Sequence, residues 1–300
     1  MSKPTAVLFC PGRGSYTKSE LGFLGRTVQP GPVADAIDAS NRLRSEQNRP
    51  TLTEVDAAEK FRPSMHLDGQ NAAELIYFGT LAHVQQLRER YEIIAIAGNS
   101  LGWYTALPAS GALDPTNGWR LVSTMASLQK QIKGGQVLMT TVDENWQPNM
   151  ALRVAIQATV QALQDRGPEF FVDYSIRLGG HEVLAGTEMG IRELLIRLPK
   201  VTVGDRDFPF RLAGHGPFHT SLCEQTASQA AKQLSDLPVK MPNCHLIDGY
   251  GNVHSPWSAD PRELLRYTLH NQVLHTFDFS ASVRTAMREF QPDVLLCAGP

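Results

Sequence analysis

Ser100 is the residue best placed in this sequence to act as a nucleophile. It sits in Gly98-Asn99-Ser100-Leu101-Gly102, a GxSxG pattern. Such a pattern carries chemistry when a strand runs into it and a helix leaves it. The turn is then so tight that glycine is required on either side, and the serine hydroxyl is lifted above the sheet edge. A serine at that point also stands at a helix N-terminus, where free N–H groups and the helix dipole favour a developing oxyanion. The N–H of Leu101 is the natural first donor. A serine N-cap in an ordinary glycine-rich turn spells the same letters, so the context decides.

A serine hydroxyl needs a base. The chain has nine histidines, and residue types alone leave the choice among them open. His66, His83, His181 and His254 fall in loops or on polar faces, where a solvated imidazole is expected. His215 and His219 are four apart, as in a metal pair on one helix face. Pro217 between them disfavours that helix and no carboxylate lies nearby to complete a zinc site, so no metal is expected. His219 lies at the turn into a helical stretch, where it can point into a cleft or simply neighbour a cap. Cys10, Cys223, Cys244 and Cys297 form no CxxC pair and are expected to be buried, inert thiols of a reducing, cytoplasmic compartment.

The elements around Ser100 follow an α/β order. Thr5–Cys10 (TAVLFC) and Ile93–Ala97 (IIAIA) are continuous apolar runs of the kind that form buried parallel strands. Helices are expected at Pro32–Arg44, from Asn71 to about Glu89, and at Gly118–Lys133. From Gln136 the texture changes. A strand (Gln136–Val142), a helix (Met150–Arg166), two short strands (Phe170–Ser175, Glu182–Ala185), a helix (Glu188–Arg197) and an extended segment (Val201–Phe210) give the β-α-β-β-α-β order of a ferredoxin-like unit. Core texture then returns with helices at Thr220–Ser235 and Pro261–Leu269, a loop between them, and a last strand at Val294–Ala298. The expected class is α/β: an α/β-hydrolase-like core with a parallel sheet (residues 1–135 and 211–300) and an inserted ferredoxin-like subdomain (136–210).

Composition agrees with an enzyme of this kind. Three hundred residues with 42% hydrophobic side chains can bury a sizeable core. With 28 Lys and Arg against 30 Asp and Glu, the chain lacks the basic excess of a nucleic-acid binder, and no apolar run is long enough to span a membrane.

Four segments, in order, resemble the malonyl-CoA:acyl carrier protein transacylases and the acyltransferase domains of polyketide and fatty-acid synthases. Phe9-Cys10-Pro11-Gly12-Arg13-Gly14-Ser15 resembles the FPGQGSQ loop, and Gly98–Gly102 the GHSLG elbow. Gly216-Pro217-Phe218-His219-Thr220 resembles the AFHS segment, and Leu269-His270-Asn271-Gln272-Val273 the LxNPV motif. The closing Ala298-Gly299-Pro300 resembles the family's GPG.

The resemblance implies Ser100 as nucleophile and His219 as its base, oriented by main-chain carbonyls of the Asn271–Leu274 segment. It also implies an oxyanion hole of the Leu101 and Arg13 N–H groups, no cofactor, acyl-CoA as donor and an acyl carrier protein as partner. Met125 stands about where malonyl-specific members carry an arginine, Asn99 replaces the histidine beside the nucleophile, and Trp103 replaces an acidic residue.

A thioether cannot pair with a carboxylate, so a non-malonyl acyl group is expected, with Met125, Asn99, Trp103, Phe218 and Asn271 around it. Met125 could equally be plain core packing, and Arg13 could reach into the pocket as a substitute cation. Arg192, Arg197, Lys200, Arg206 and Arg211 form either a carrier-docking patch or an ordinary solvated face. Transfer, hydrolysis of acyl carriers and a silent docking role remain open.

Overall fold

The computed structural model describes residues 3–300. Its strands are β1 (Thr5–Cys10), β2 (Glu92–Gly98), β3 (Gly135–Thr140), β4 (Val172–Arg177), β5 (His181–Gly186), β6 (Val201–Val203), β7 (Arg206–Phe208), β8 (Phe210–Arg211), β9 (His245–Ile247), β10 (Val253–His254), β11 (Phe277–Asp278) and β12 (Val294–Cys297). The first sheet has the order β10-β9-β2-β1-β12 and is parallel except at β10. Both faces of its central strands are covered. Leu8, Cys10 and Ile96 point into the main core, while Val7, Phe9, Ala95 and Ala97 pack with Ala286 of the helix Phe279–Phe290. A strand covered on both faces has no polar face to alternate with, which is why β1 and the second half of β2 are unbroken apolar runs.

The second sheet, β11-β4-β5-β3-β8, is antiparallel apart from the short parallel pair β11–β4. Helices Met150–Gln164 and Glu188–Arg197 pack against it, so the split β-α-β-β-α-β arrangement is present. The expected final strand over Val201–Phe210 is not one strand. Residues 201–208 form a separate hairpin of β6 and β7 that turns at Gly204 (φ +59°), and only the two residues of β8 return to pair with β3. One strand of this sheet, β11, comes from far beyond the insert.

Helix ends also moved for local reasons. The helix expected from Gly118 starts at Pro115, because Asp114 caps it by accepting from the Asn117 N–H, and it stops at Gln129. The Thr220–Ser235 stretch opens as a 3-10 turn before the α-helix Glu224–Gln233. The helix from Pro261 is α-helical only to Arg266 and continues as a π turn over Tyr267–Asn271. Strand β9, only three residues long, lies in what was expected to be loop. Among the described residues no helix is long and apolar enough to cross a membrane.

A buried ion pair ties helix Pro32–Glu46 to helix Gly69–Arg90. Arg44 and Glu74, with side chains 3% and 1% exposed, meet at 3.2 Å. Glu74 also accepts from the Ser40 hydroxyl, and Arg44 donates to Asn71 and to the Pro50 carbonyl. Removing one partner strands the other charge in the core. Glu74→Leu is expected to cost about 3 kcal/mol in urea unfolding, and the double change Arg44→Met with Glu74→Leu less than that.

Candidate active site

Strand β2 ends in the turn that carries Ser100, and steric exclusion sets its shape. A Cβ at position 102 would lie 2.1 Å from the Cys10 carbonyl oxygen, and one at position 98 would lie 2.1 Å from the Gly102 carbonyl carbon. Only glycine fits either position. Ser100 itself is held at φ 53°, ψ −108°, strained for a residue with a side chain, and heads the helix Leu101–Ala109. The N–H of Leu101, in the first turn, is one of the donors that a helix leaves free.

His219 is held in a second left-handed turn (φ 64°) and is 1% exposed. Its main-chain N–H donates to the Val273 carbonyl at 2.9 Å. Its Nδ1 lies 2.5 Å from the Gln272 carbonyl oxygen and its Nε2 lies 2.7 Å from Ser100 Oγ. A carbonyl can only accept, so Nδ1 carries the proton and Nε2 is left bare to accept from the serine hydroxyl. Burial pushes the imidazole pKa down to about 4, with the Gln272 carbonyl pulling the other way. His219 is therefore neutral at pH 7, with its free lone pair on the serine.

Gln272 joins this arrangement through its side chain as well, donating from Nε2 to the Ser100 carbonyl and accepting from the Tyr104 hydroxyl. Asn271, singled out from the sequence, is elsewhere: it accepts from Arg266 and does not line the cavity. The π turn at Tyr267–Asn271 widens the helix just before this point and presents Gln272. A comparison of letters does not reveal that shift.

Ser100 and Gln272 lie in the wall of a cavity of about 240 Å³ between the first sheet and the insert; His219 is not part of the lining and meets the cavity through Ser100. Met125, Val122, Ala126, Leu138, Ile176 and Val183 make its wall largely apolar; Asn99, Phe218 and Arg13 also line it. Trp103 does not. It is fully buried, donates from Nε1 to Thr268 and packs edge-on against Tyr267. At about 100° per residue, Trp103 faces the core, and Tyr104, one residue on, reaches the cavity. The Arg13 side chain donates to the Gly214 carbonyl, and burial lowers its pKa to about 10.

Several surface expectations change. Glu188 pairs with Arg211 and Arg192, Glu193 pairs with Arg197, and Lys200 donates to the Leu195 carbonyl. Three of those cations are thus engaged by acidic neighbours on their own surface. His66 is fully buried, bonded to Arg62 and the Val55 carbonyl, and Cys297 is exposed. Among the described residues no group of three His, Cys, Asp or Glu is arranged to hold a metal ion.

No family model matches the chain, and neither does any curated protein. Solved structures do. A malonyl-CoA:acyl carrier protein transacylase from Coxiella burnetii matches at 17% identity, TM-score 0.75, over 100% of this chain and 88% of its own. MCAT from Streptococcus pneumoniae matches at 22% identity, TM-score 0.72, over 99% and 89%. A malonyl-transacylase in complex with a type II polyketide-synthase acyl-carrier protein matches at 19%, TM-score 0.74, over 99% and 89%. The chain has the transacylase fold. The likeness runs nearly end to end, so it takes in both sheets.

The buried imidazoles make stability depend on pH. Burial lowers His219 to about 4 and, with Arg13 nearby, His215 to about 3. Below about pH 6.5 the unfolded chain binds protons that the native state refuses, so stability falls as the pH drops from 6.5 towards 4. Urea unfolding at pH 7 and pH 5 measures this. The loss between the two is expected to be smaller in His219→Gln than in the parent, and an equal loss would contradict the assignment.

Proposed function

We propose that this protein is an acyltransferase that carries an acyl group on Ser100, from coenzyme A or a carrier thiol to the thiol of an acyl carrier protein. The observation that carries this reading is the 2.7 Å contact of a buried, neutral His219 with the Oγ of Ser100, which lines a largely apolar cavity. The fold shared with transacylases supports it.

In this reading His219 Nε2 takes the hydroxyl proton as Oγ attacks the thioester carbonyl carbon. The Gln272 carbonyl stabilises the imidazolium that forms. The oxyanion is met by the N–H groups of Leu101 and Arg13, the first reinforced by the helix dipole. As the C–S bond breaks, the leaving thiolate takes the proton from His219. The acceptor thiol then repeats the steps in reverse: it gives its proton to His219 and attacks the acyl-serine, and Ser100 regains a proton.

Met125 lines the acyl cavity with a thioether in place of a carboxylate-binding group, so the preferred acyl group is uncharged. No cofactor is needed for this sequence of steps. An acyl carrier protein as partner follows from the same reading, in keeping with the neighbour that was solved as a complex with one.

Intact-mass spectrometry after mixing with acetyl-, butyryl- and malonyl-CoA tests the proposal. The expected result is an acyl adduct that Ser100→Ala abolishes and His219→Ala slows by about 10²- to 10⁴-fold. Rapid release to water without an acceptor would make the protein a hydrolase, and no adduct with any donor would leave a docking subunit. Met125→Arg is expected to raise malonyl over butyryl loading by at least about tenfold; an unchanged ratio would remove Met125 from specificity.

A further inference from the structure

Away from Ser100, the cavity wall contains a chain of hydrogen bonds whose direction is fixed. It starts at the Phe218 main-chain carbonyl, which can only accept. The Ser175 hydroxyl, 2.9 Å away, must therefore donate to it. That leaves Ser175 Oγ to accept from Gln136, whose Nε2 lies at 2.8 Å. The Gln136 amide is thereby oriented with its Oε1 towards His215 Nδ1, 2.9 Å away. An amide oxygen accepts, so Nδ1 of His215 carries the ring proton and Nε2 does not. Burial and the neighbouring Arg13 guanidinium both hold the ring neutral.

The result is a bare imidazole nitrogen on a side chain that lines the acyl cavity, with no hydrogen-bond partner for Nε2 among the described residues. The chain of bonds consists of two buried side chains, Ser175 and Gln136, 0% and 3% exposed. Apolar residues would serve better there if the only task were to fill space, since each buried polar group has to be matched.

We propose that the acyl group accepted by this site bears an uncharged hydroxyl, and that His215 Nε2 receives its hydrogen bond. This rests on the acyl-transfer reading and narrows it. The other substituents fit poorly. An ammonium would lie near Arg13 with no Asp or Glu lining the cavity to offset it. A carboxylate would face the His215 lone pair and the Met125 thioether, and the one cation in the lining among the described residues, Arg13, is already donating to the Gly214 carbonyl. A plain alkyl chain would leave Nε2 desolvated and unmatched, a cost that a hydroxyl removes.

Competition among butyryl-, 3-hydroxybutyryl-, 4-hydroxybutyryl- and malonyl-CoA for wild-type protein, read as the masses of the Ser100 adducts, tests the proposal. At least one hydroxylated donor is expected to load about tenfold faster than butyryl-CoA. His215→Phe should bring that ratio close to one, and Gln136→Leu, which frees the ring to change tautomer, should lower it. Butyryl loading as fast as both hydroxylated donors overturns the proposal and leaves acyl transfer standing. Fastest loading of malonyl also overturns it, in favour of Arg13 holding a carboxylate. A ratio unchanged in a folded His215→Phe removes His215 from the role. No loading by any donor overturns both this proposal and the reading on which it rests. The wild-type competition decides the matter even if a variant fails to fold.

Discussion

The closest constraint in this molecule is the contact between the end of β1 and the first turn after β2. The Cys10 carbonyl oxygen occupies the space that any side chain at position 102 would need, and Gly102 occupies the space of one at position 98. The Asn99 N–H closes the contact by donating to that same carbonyl. Two parallel strands and one helix are locked together in a way that leaves Ser100 no relaxed conformation, and its strain is held by everything packed around it. The loop after β1, with Gly12 and Arg13, is brought beside the serine by the same contact.

The second organising principle is the polarity of carbonyl groups. Nothing acidic orients the histidine here. A main-chain oxygen does, and because such an oxygen cannot donate, it sets the tautomer of His219 as firmly as a carboxylate would without adding a buried charge. The same logic recurs at His215, relayed through two side chains from the carbonyl of the residue preceding His219. One short segment, 215–219, thus presents two neutral imidazoles of the same tautomer: each has Nδ1 donating to an oxygen and Nε2 left to accept, from Ser100 in the case of His219.

The parts of this architecture that depend on local sequence were legible in advance. The elbow, both central strands, the helix Glu188–Arg197 and the split insert order follow from glycine placement and apolar periodicity. Ser100 and His219 were legible too, the second only through resemblance, since nine histidines are alike as letters. The errors share a cause: they depend on rotation about an axis that letters do not record. Trp103 and Tyr104 exchange roles because one residue is about 100° of helix. Asn271 yields to Gln272 because a π turn intervenes. His66 was expected in solvent but is enclosed by residues from Val55 to Arg62, and of the two readings of the basic stretch the pairing of Glu188 with Arg192 and of Glu193 with Arg197, one helical turn apart, favours the ordinary solvated face.

The pairing of β12 with β1, Ala6 beside Val294 and Phe9 beside Cys297, bears on how the protein is made. The outer edge of β1 waits for a partner almost 290 residues away in sequence. At roughly 5–20 residues per second that is about 15–60 s of synthesis during which one of the most apolar strands of the molecule has an open edge. The insert's own strands β3, β4, β5 and β8 are made well before then and emerge between the two halves of an unfinished sheet, with only β11 of their sheet still to come. The nascent chain therefore passes through a period in which the β1 edge, covered by β12 in the finished protein, is open, and it is in that period that the chain is most exposed to misassociation.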